Sequence, residues 1–327
     1  MKPAQYPDLK SLIDKLDKRN RERQAGKAIL AGSVVLGLSA LVSPFIASKT
    51  APVAVSERAP EAAAVPVDAY QDILLEGKAA IVYDLSTREV LYQKNSKAQL
   101  PLASLTKLLT AYAGASTLER NAPVTITASA LAAEGESGLS EGEVFSFASA
   151  ARLALVASSN DAAEAIAEEA ARTKSVSNKS LLASAASAIG LPQTYAVNGT
   201  GLDVSTTISG GYGSAYDVAQ LAGALLSIAP ELASATTLPE VSVKSVTGAV
   251  HTLPNTNQEV VRVPNLLLSK TGFTDLAGGN LAIVFDAGIN HSVAIVVLGS
   301  SHEGRFADVD TLLSRTRDHF ANIEPSH

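Results

Sequence analysis

The chain has 327 residues, 46% of them hydrophobic, enough to bury a core in one large domain or two small ones. Charged residues make up 18% and the net charge is −6, so nothing points to nucleic-acid binding and none is expected. The absence of cysteine removes disulfides and thiol chemistry. The five histidines (His251, His291, His302, His319, His327) show no metal-ligand spacing, so no metal or cofactor is expected and each reads as a surface or loop residue.

Residues 1–27 hold eight Lys/Arg against four acids, a basic tail. Residues 28–48 hold no charge, and the rest carries 18 basic and 28 acidic residues. The run Ala28–Ala47 has the roughly 20 apolar residues that one helix across a bilayer needs. Its basic flank belongs in the cytoplasm, which puts the bulk of the chain outside a bacterial cell membrane. A cleaved signal peptide has a shorter leader, an apolar core of about 7–15 residues and a small-x-small cleavage site. None of these fits, so a retained single-pass transmembrane anchor is expected. Residues 49–72, rich in Ala and Pro without hydrophobic period, read as an extended linker, and a catalytic domain is expected over 73–322.

Lys78–Asp84 and Val90–Gln93 are strand-like runs split by a turn-like stretch, a hairpin pattern. Pro101 breaks the chain, and Ser104–Leu118 reads as a helix with Leu105, Leu108, Leu109 and Tyr112 on one face. From Ala128 to about Ile228 the pattern is helical. Its segments are Ala148–Ala157, Asp161–Ala171, Asn178–Ile189 (stopped by Gly190 and Pro192), and a helix from the capping-box-like Ser214–Asp217 through Leu226. Val241–Val246, Leu266–Thr271, Leu281–Asp286 and Ser292–Leu298 are β-rich, and Ala307–Phe320 closes as a helix. This order predicts an α+β fold in which both ends of the domain supply one antiparallel sheet, helices flank it, and an all-helical subdomain is inserted.

Serine is a weak nucleophile unless an adjacent base takes its proton. On a helix, residues i and i+3 share a face, so Ser104 and Lys107 stand side by side. A lysine desolvated beside a second cation releases its proton and serves as base. Ser-x-x-Lys alone says little, since 35 Ser and 14 Lys give about 1.5 chance copies, and a solvated, capped helix explains it too. Ser158-Ser159-Asn160 is the one Ser-x-Asn and falls between two helices, where Asn160 also reads as the N-cap of the second. Lys270-Thr271-Gly272 is the one Lys-Thr-Gly and ends a β-rich run, where a plain glycine turn is the alternative. In this order and these contexts, the three form the motif set of penicillin-binding proteins and β-lactamases.

With these motifs the chain resembles the serine-type D-alanyl-D-alanine carboxypeptidases, the low-molecular-mass penicillin-binding proteins, over about residues 73–320. Similar too are Ala79–Ala111, Asn198–Asp203, Lys270–Asn280 and Gly299–Phe306. The resemblance implies a β-lactamase/transpeptidase-like fold, no cofactor, and peptidoglycan stem peptides ending in D-Ala-D-Ala as substrate, with β-lactams as covalent inhibitors. It implies that Ser104 attacks the carbonyl of the penultimate D-Ala, that Lys107 accepts the proton, and that Ser158 relays it to the leaving amine. Asn160 would hold the substrate's amide side, Lys270 would supply positive charge, and Thr271 would bind the terminal carboxylate. Gly272 would leave room for substrate along the strand edge, backbone N–H groups of Ser104 and Phe273 would form the oxyanion hole, and Arg305 would lie near the carboxylate subsite.

The chain stops soon after its last helix, so the β-rich C-terminal domain and amphipathic anchor of many relatives are expected to be absent. Gly210–Gly213 reads as an enlarged loop of unassigned role. Three other functions share the motifs or the fold: a D,D-endopeptidase cutting crosslinks, a β-lactamase, and a catalytically idle wall-binding protein. A β-lactamase needs a carboxylate that activates the deacylating water. No E-x-x-x-N loop follows Asn160, and Glu168 and Glu169 lie in a helix.

Overall fold

In the computed structural model, which describes residues 69–135, 138–288 and 291–323, strand β1 (Ala79–Asp84) is buried from end to end. A strand covered on both faces needs apolar residues without alternation, and A-A-I-V-Y supplies them. The buried Asp84 that ends it accepts from Ser86 N and Thr87 N and meets His291. β2 (Glu89–Lys94) is charged, half-exposed and antiparallel to β1 at the sheet edge. β3 (Leu100–Pro101) then leads into a 3-10 turn, Ala103–Leu105, and helix α1 (Thr106–Ala115). The single helix expected from Ser104 therefore starts later. Ala103 takes a left-handed φ of 48° and Leu105 N bonds Leu102 O, a tighter turn than an α-helix allows.

The inserted block is helical, with short ladders that leave no sequence signal. β4 (Pro123–Thr125) pairs with β5 (Val144–Ser146), around the short α2 (Ala128–Leu131). Next come α3 (Phe147–Val156), α4 (Asn160–Lys174) and α5 (Asn178–Ala188), each capped by the serine before it: Ser146, Ser159 and Ser177 accept from Ser149 N, Ala162 N and Ser180 N. Such a cap is worth about 1 kcal/mol. Asn160 is thus not the cap of α4 but its first residue, because Ser159 takes that role and leaves the amide side chain free for other contacts. β6 (Tyr195–Ala196) pairs with β7 (Gly211–Gly213), which also pairs with β3, so the expected Gly210–Gly213 loop is largely a strand. A Cβ on Gly211 would lie 2.1 Å from Thr106 Oγ1, and one on Gly210 2.2 Å from Leu202 O. These glycines let the Ser104 turn and the 198–202 loop press against the strand. Helix α6 (Ala215–Ile228), capped by Ser214, and α7 (Pro230–Ala235) complete the block.

β8 (Glu240–Lys244) and β9 (Val250–Pro254) form a separate hairpin. His251 lies within β9, half-buried, with Nε2 2.7 Å from Glu143 Oε1. His291, in the loop before the last strand as expected of a surface or loop residue, sits against Asp84; His251 departs from that expectation by lying in β9, and each folds onto a buried carboxylate. The chain then returns to the main sheet with β10 (Leu266–Thr274), β11 (Gly278–Asp286) and β12 (Ser292–Ser300), ending in α8 (Gly304–Ile323). The sheet order is β10-β11-β12-β1-β2, antiparallel throughout, so both ends of the domain do supply one sheet.

Alternate residues divide two cores across this sheet. Ile81, Val284, Val296 and Leu298 pack with the helical block. Val82, Ile283, Ile295 and Val297 pack on Val309, Leu312 and Leu313 of α8. Packing against the sheet already includes Tyr70, before Ile73, the start expected: its ring stacks on Tyr92 and its hydroxyl donates to Thr316 Oγ1 at 3.0 Å. Among the described residues no helix is long and apolar enough to cross a membrane. The expected tail (1–27), the expected anchor span (28–48) and residues 49–68 of the expected linker lie outside the described residues.

Candidate active site

Three segments meet where β10 runs along the free edge of the sheet. The 3-10 turn presents Ser104, the α3–α4 junction presents Ser158 and Asn160, and β10 presents Lys270, Thr271 and Gly272. Both hydroxyl-bearing turns are held in left-handed backbone, Ala103 at φ 48° and Ser158 at φ 58°. Non-glycine residues rarely adopt this region, and it persists where the surroundings enforce it. A cleft of about 960 Å³ opens over them, lined by Ser104, Ser158, Asn160, Thr271, Gly272, Phe273 and Arg305. Lys107 and Lys270, 0% and 1% exposed, lie beneath its floor. All nine residues singled out in the sequence therefore surround one cavity.

Lys107 Nζ lies 2.8 Å from Ser104 Oγ, 2.7 Å from Asn160 Oδ1 and 2.9 Å from Thr200 O. The Asn160 and Thr200 oxygens only accept, so they take two N–H bonds in either protonation state. The third position, facing Ser104, is an N–H in the ammonium and a lone pair in the neutral amine. Lys107 can thus take and return the serine proton without moving. Burial pushes its pKa down to about 7, with Glu164 pulling the other way. The Asn160 amide is oriented from its far side, Nδ2 donating to Glu134 O at 2.5 Å.

Lys270 Nζ donates to Ser158 Oγ and to Thr271 O, both at 2.9 Å. Burial first, then the positive charges of Lys107 and Arg305, hold its pKa well below the usual value. Desolvation is thus the leading cause at both lysines. Thr271 Oγ1 donates to Thr256 Oγ1 at 2.7 Å, tying β10 to the cleft's far wall. Arg305, at the start of α8 and 4% exposed, donates from Nη1 to Gly272 O at 2.8 Å. Gly272 differs from the expectation of an open strand edge. A Cβ there would point at the nucleophile turn, 3.0 Å from Leu102 O and 3.2 Å from Ser104 N. Its bareness lets β10 press against Ser104.

The sequence reading gave Thr200 and Glu164 no role. Thr200 O reaches Lys107 because the Asn198–Leu202 loop is wound tightly, Asn198 Oδ1 accepting from Thr200 N and Gly201 N. A carbonyl leaves no residue-type signal; Asn-Gly-Thr-Gly announces only a turn. Among the described residues no three His, Cys, Asp or Glu side chains are grouped to hold a metal ion.

Residues 66–302 match the family model described as D-alanyl-D-alanine carboxypeptidase. The chain belongs to this family. The D-alanyl-D-alanine carboxypeptidase DacF of Bacillus subtilis is 30% identical over 73% of this chain, and the match spans 61% of that protein. The D-alanyl-D-alanine endopeptidase of Pseudomonas aeruginosa is 32% identical over 84% of this chain and 86% of its own length. Among solved structures, penicillin-binding protein D2 of Listeria monocytogenes in its ampicillin-bound form superposes with a TM-score of 0.64 at 27% identity, covering 75% of this chain and 98% of that one. The antiparallel sheet with its inserted helical block is thus the penicillin-binding fold of the D-alanyl-D-alanine carboxypeptidase family.

Proposed function

We propose that this protein is a serine D-alanyl-D-alanine carboxypeptidase acting through Ser104, an assignment supported most directly by the Lys107 amine 2.8 Å from Ser104 Oγ and buried to a pKa of about 7. Ser104 Oγ attacks the carbonyl carbon of the penultimate D-Ala as its proton passes to Lys107 Nζ. Backbone N–H groups of Ser104 and Phe273, the latter on the edge strand β10, face the developing oxyanion. The C–N bond breaks, the proton returns through Ser158 to the departing D-Ala amine, and an ester to Ser104 remains. Water then releases the shortened peptide. Thr271 and Arg305 receive the terminal carboxylate, Lys270 below the floor holds the Ser158 hydroxyl, and Asn160 holds the peptide's amide side. The same acylation opens a β-lactam ring, in keeping with the ampicillin-bound Listeria relative.

The carboxylates of the β-lactamase alternative are engaged elsewhere. Glu168 accepts from Thr127 Oγ1 and Ser129 Oγ, and Glu169 pairs with Arg172. The endopeptidase alternative keeps one support, the Pseudomonas relative. Delivery of the site to the wall rests on residues 28–48 serving as membrane anchor. Digestion of purified muropeptides by membrane and soluble fractions of cells expressing the full chain tests both points. Mass spectrometry is expected to find pentapeptides shortened by one alanine, with the activity in the membrane fraction. Cleaved crosslinks with intact pentapeptides would make it an endopeptidase, and activity confined to the soluble fraction would overturn the anchor.

A further inference from the structure

Resting on the assignment of Lys107 as base, a carboxylate outside the cleft enters the same machinery. Glu164 lies on α4 one helical turn after Asn160, on the same face. Its Oε2 accepts from Gly199 N at 2.8 Å and its Oε1 from Asn178 Nδ2 at 2.8 Å, which ties α4 to the 198–202 loop and to α5. From the other side, Thr110 of α1 donates to Gly199 O at 2.7 Å. The next residue, Thr200, turns its carbonyl to Lys107 Nζ. Gly199 is gripped so closely that a Cβ on it would lie 2.9 Å from Ala167 and 3.1 Å from Glu164 Oε2.

We propose that Glu164 is a positioning residue for the general base: it fixes the loop that offers Thr200 O to Lys107, and its negative charge balances the buried amine when that amine carries the serine proton. The other charged groups around Lys107 act differently. Lys270 from β10 and Arg305 from α8 are basic groups, and Lys270 is itself pushed towards the neutral amine by burial and by the charges of Lys107 and Arg305. Asp203 is turned to Thr274 Oγ1 and Leu276 N, and Glu168 to Thr127 and Ser129. Glu164 is the anion whose charge stabilises the ammonium form of Lys107, against the desolvation that favours the amine. In the sequence it is hidden in A-E-A-I-A-E-E-A-A-R, where it looks like one more solvated helix acid.

Acylation requires neutral Lys107, so its rate rises with pH through that group's pKa. Removing the anion favours the neutral amine and moves the acid limb to lower pH. The test is the acylation rate of the full-length chain with a fluorescent penicillin across pH 5–9, for wild type, Glu164→Gln, Glu164→Asp, Glu164→Ala and Ser104→Ala. For Glu164→Gln, the ratio of the rate at pH 6 to that at pH 8.5 is expected to rise about threefold over wild type, with the plateau within about threefold. Glu164→Asp, which keeps the charge, restores the wild-type limb. Glu164→Ala, which releases the loop as well, loses about tenfold in plateau. An acid limb unchanged in both Glu164→Gln and Glu164→Ala, or moved to higher pH, overturns the proposal. Labelling that persists in Ser104→Ala, or is absent in wild type, instead removes the catalytic assignment beneath it.

Discussion

Lys107→Met is expected to slow acylation by penicillin about 10³–10⁴-fold while leaving the chain folded. Methionine matches the lysine stem in volume and fills a site that is 0% exposed, so the packing around α1 survives. What disappears is the nitrogen 2.8 Å from Ser104 Oγ, and loss of a positioned base costs about 10²–10⁴ in rate. Stopped-flow acylation and thermal unfolding together check this. A fall below about tenfold, with an unchanged melting temperature, would mean that another group takes the serine proton. Asn160 and Thr200 O also lose their partner, so a modest drop in melting temperature accompanies the kinetic loss.

The second large effect is expected far from any titrating group. Gly201 sits at φ +81°, and a Cβ there would meet Ala103 O at 1.9 Å and Thr106 Oγ1 at 2.6 Å. The targets are the turn that carries Ser104 and the first residue of α1 behind it. Gly201→Ala therefore combines a left-handed conformation with a collision that backbone must absorb, together about 3 kcal/mol. For a domain of this size the melting temperature is expected to fall by about 6–12 °C. Displacing the turn also separates Ser104 from Lys107, so acylation falls about 10²-fold in the fraction that remains folded. A Gly201→Ala chain with wild-type melting and labelling would show that the 198–202 loop does not set the position of the nucleophile.

The sheet is legible through its central strands, which are apolar without interruption, as in A-A-I-V-Y and V-A-I-V-V-L, and because Pro and Gly punctuate the helices between them. The site is legible at Ser104, Lys107, Ser158, Asn160 and Lys270-Thr271-Gly272 through the co-occurrence of three motifs that individually mean little. Features without their own residue-type signal were beyond reach. The two- and three-residue strands β6 and β7 have no period to detect. The left-handed backbone at Ala103, which opens the 3-10 turn, has no residue-type signal either. Whether Ser159 or Asn160 caps α4 is a one-residue choice between two good capping types, decided by the tertiary contact that Asn160 makes with Lys107. Gly272 looked like room for substrate, but its bareness is needed against the Ser104 turn, a contact between segments 168 residues apart along the chain that spacing alone does not reveal.

The covalent step at Ser104 is tested most directly by intact-protein mass spectrometry after brief exposure of the full-length chain to benzylpenicillin, followed by peptide mapping. Wild type is expected to gain the mass of one penicillin, on the peptide containing Ser104, while Ser104→Ala gains none and melts as wild type does. An adduct that maps elsewhere or survives in Ser104→Ala, or a wild-type chain that gains no mass, would contradict the account.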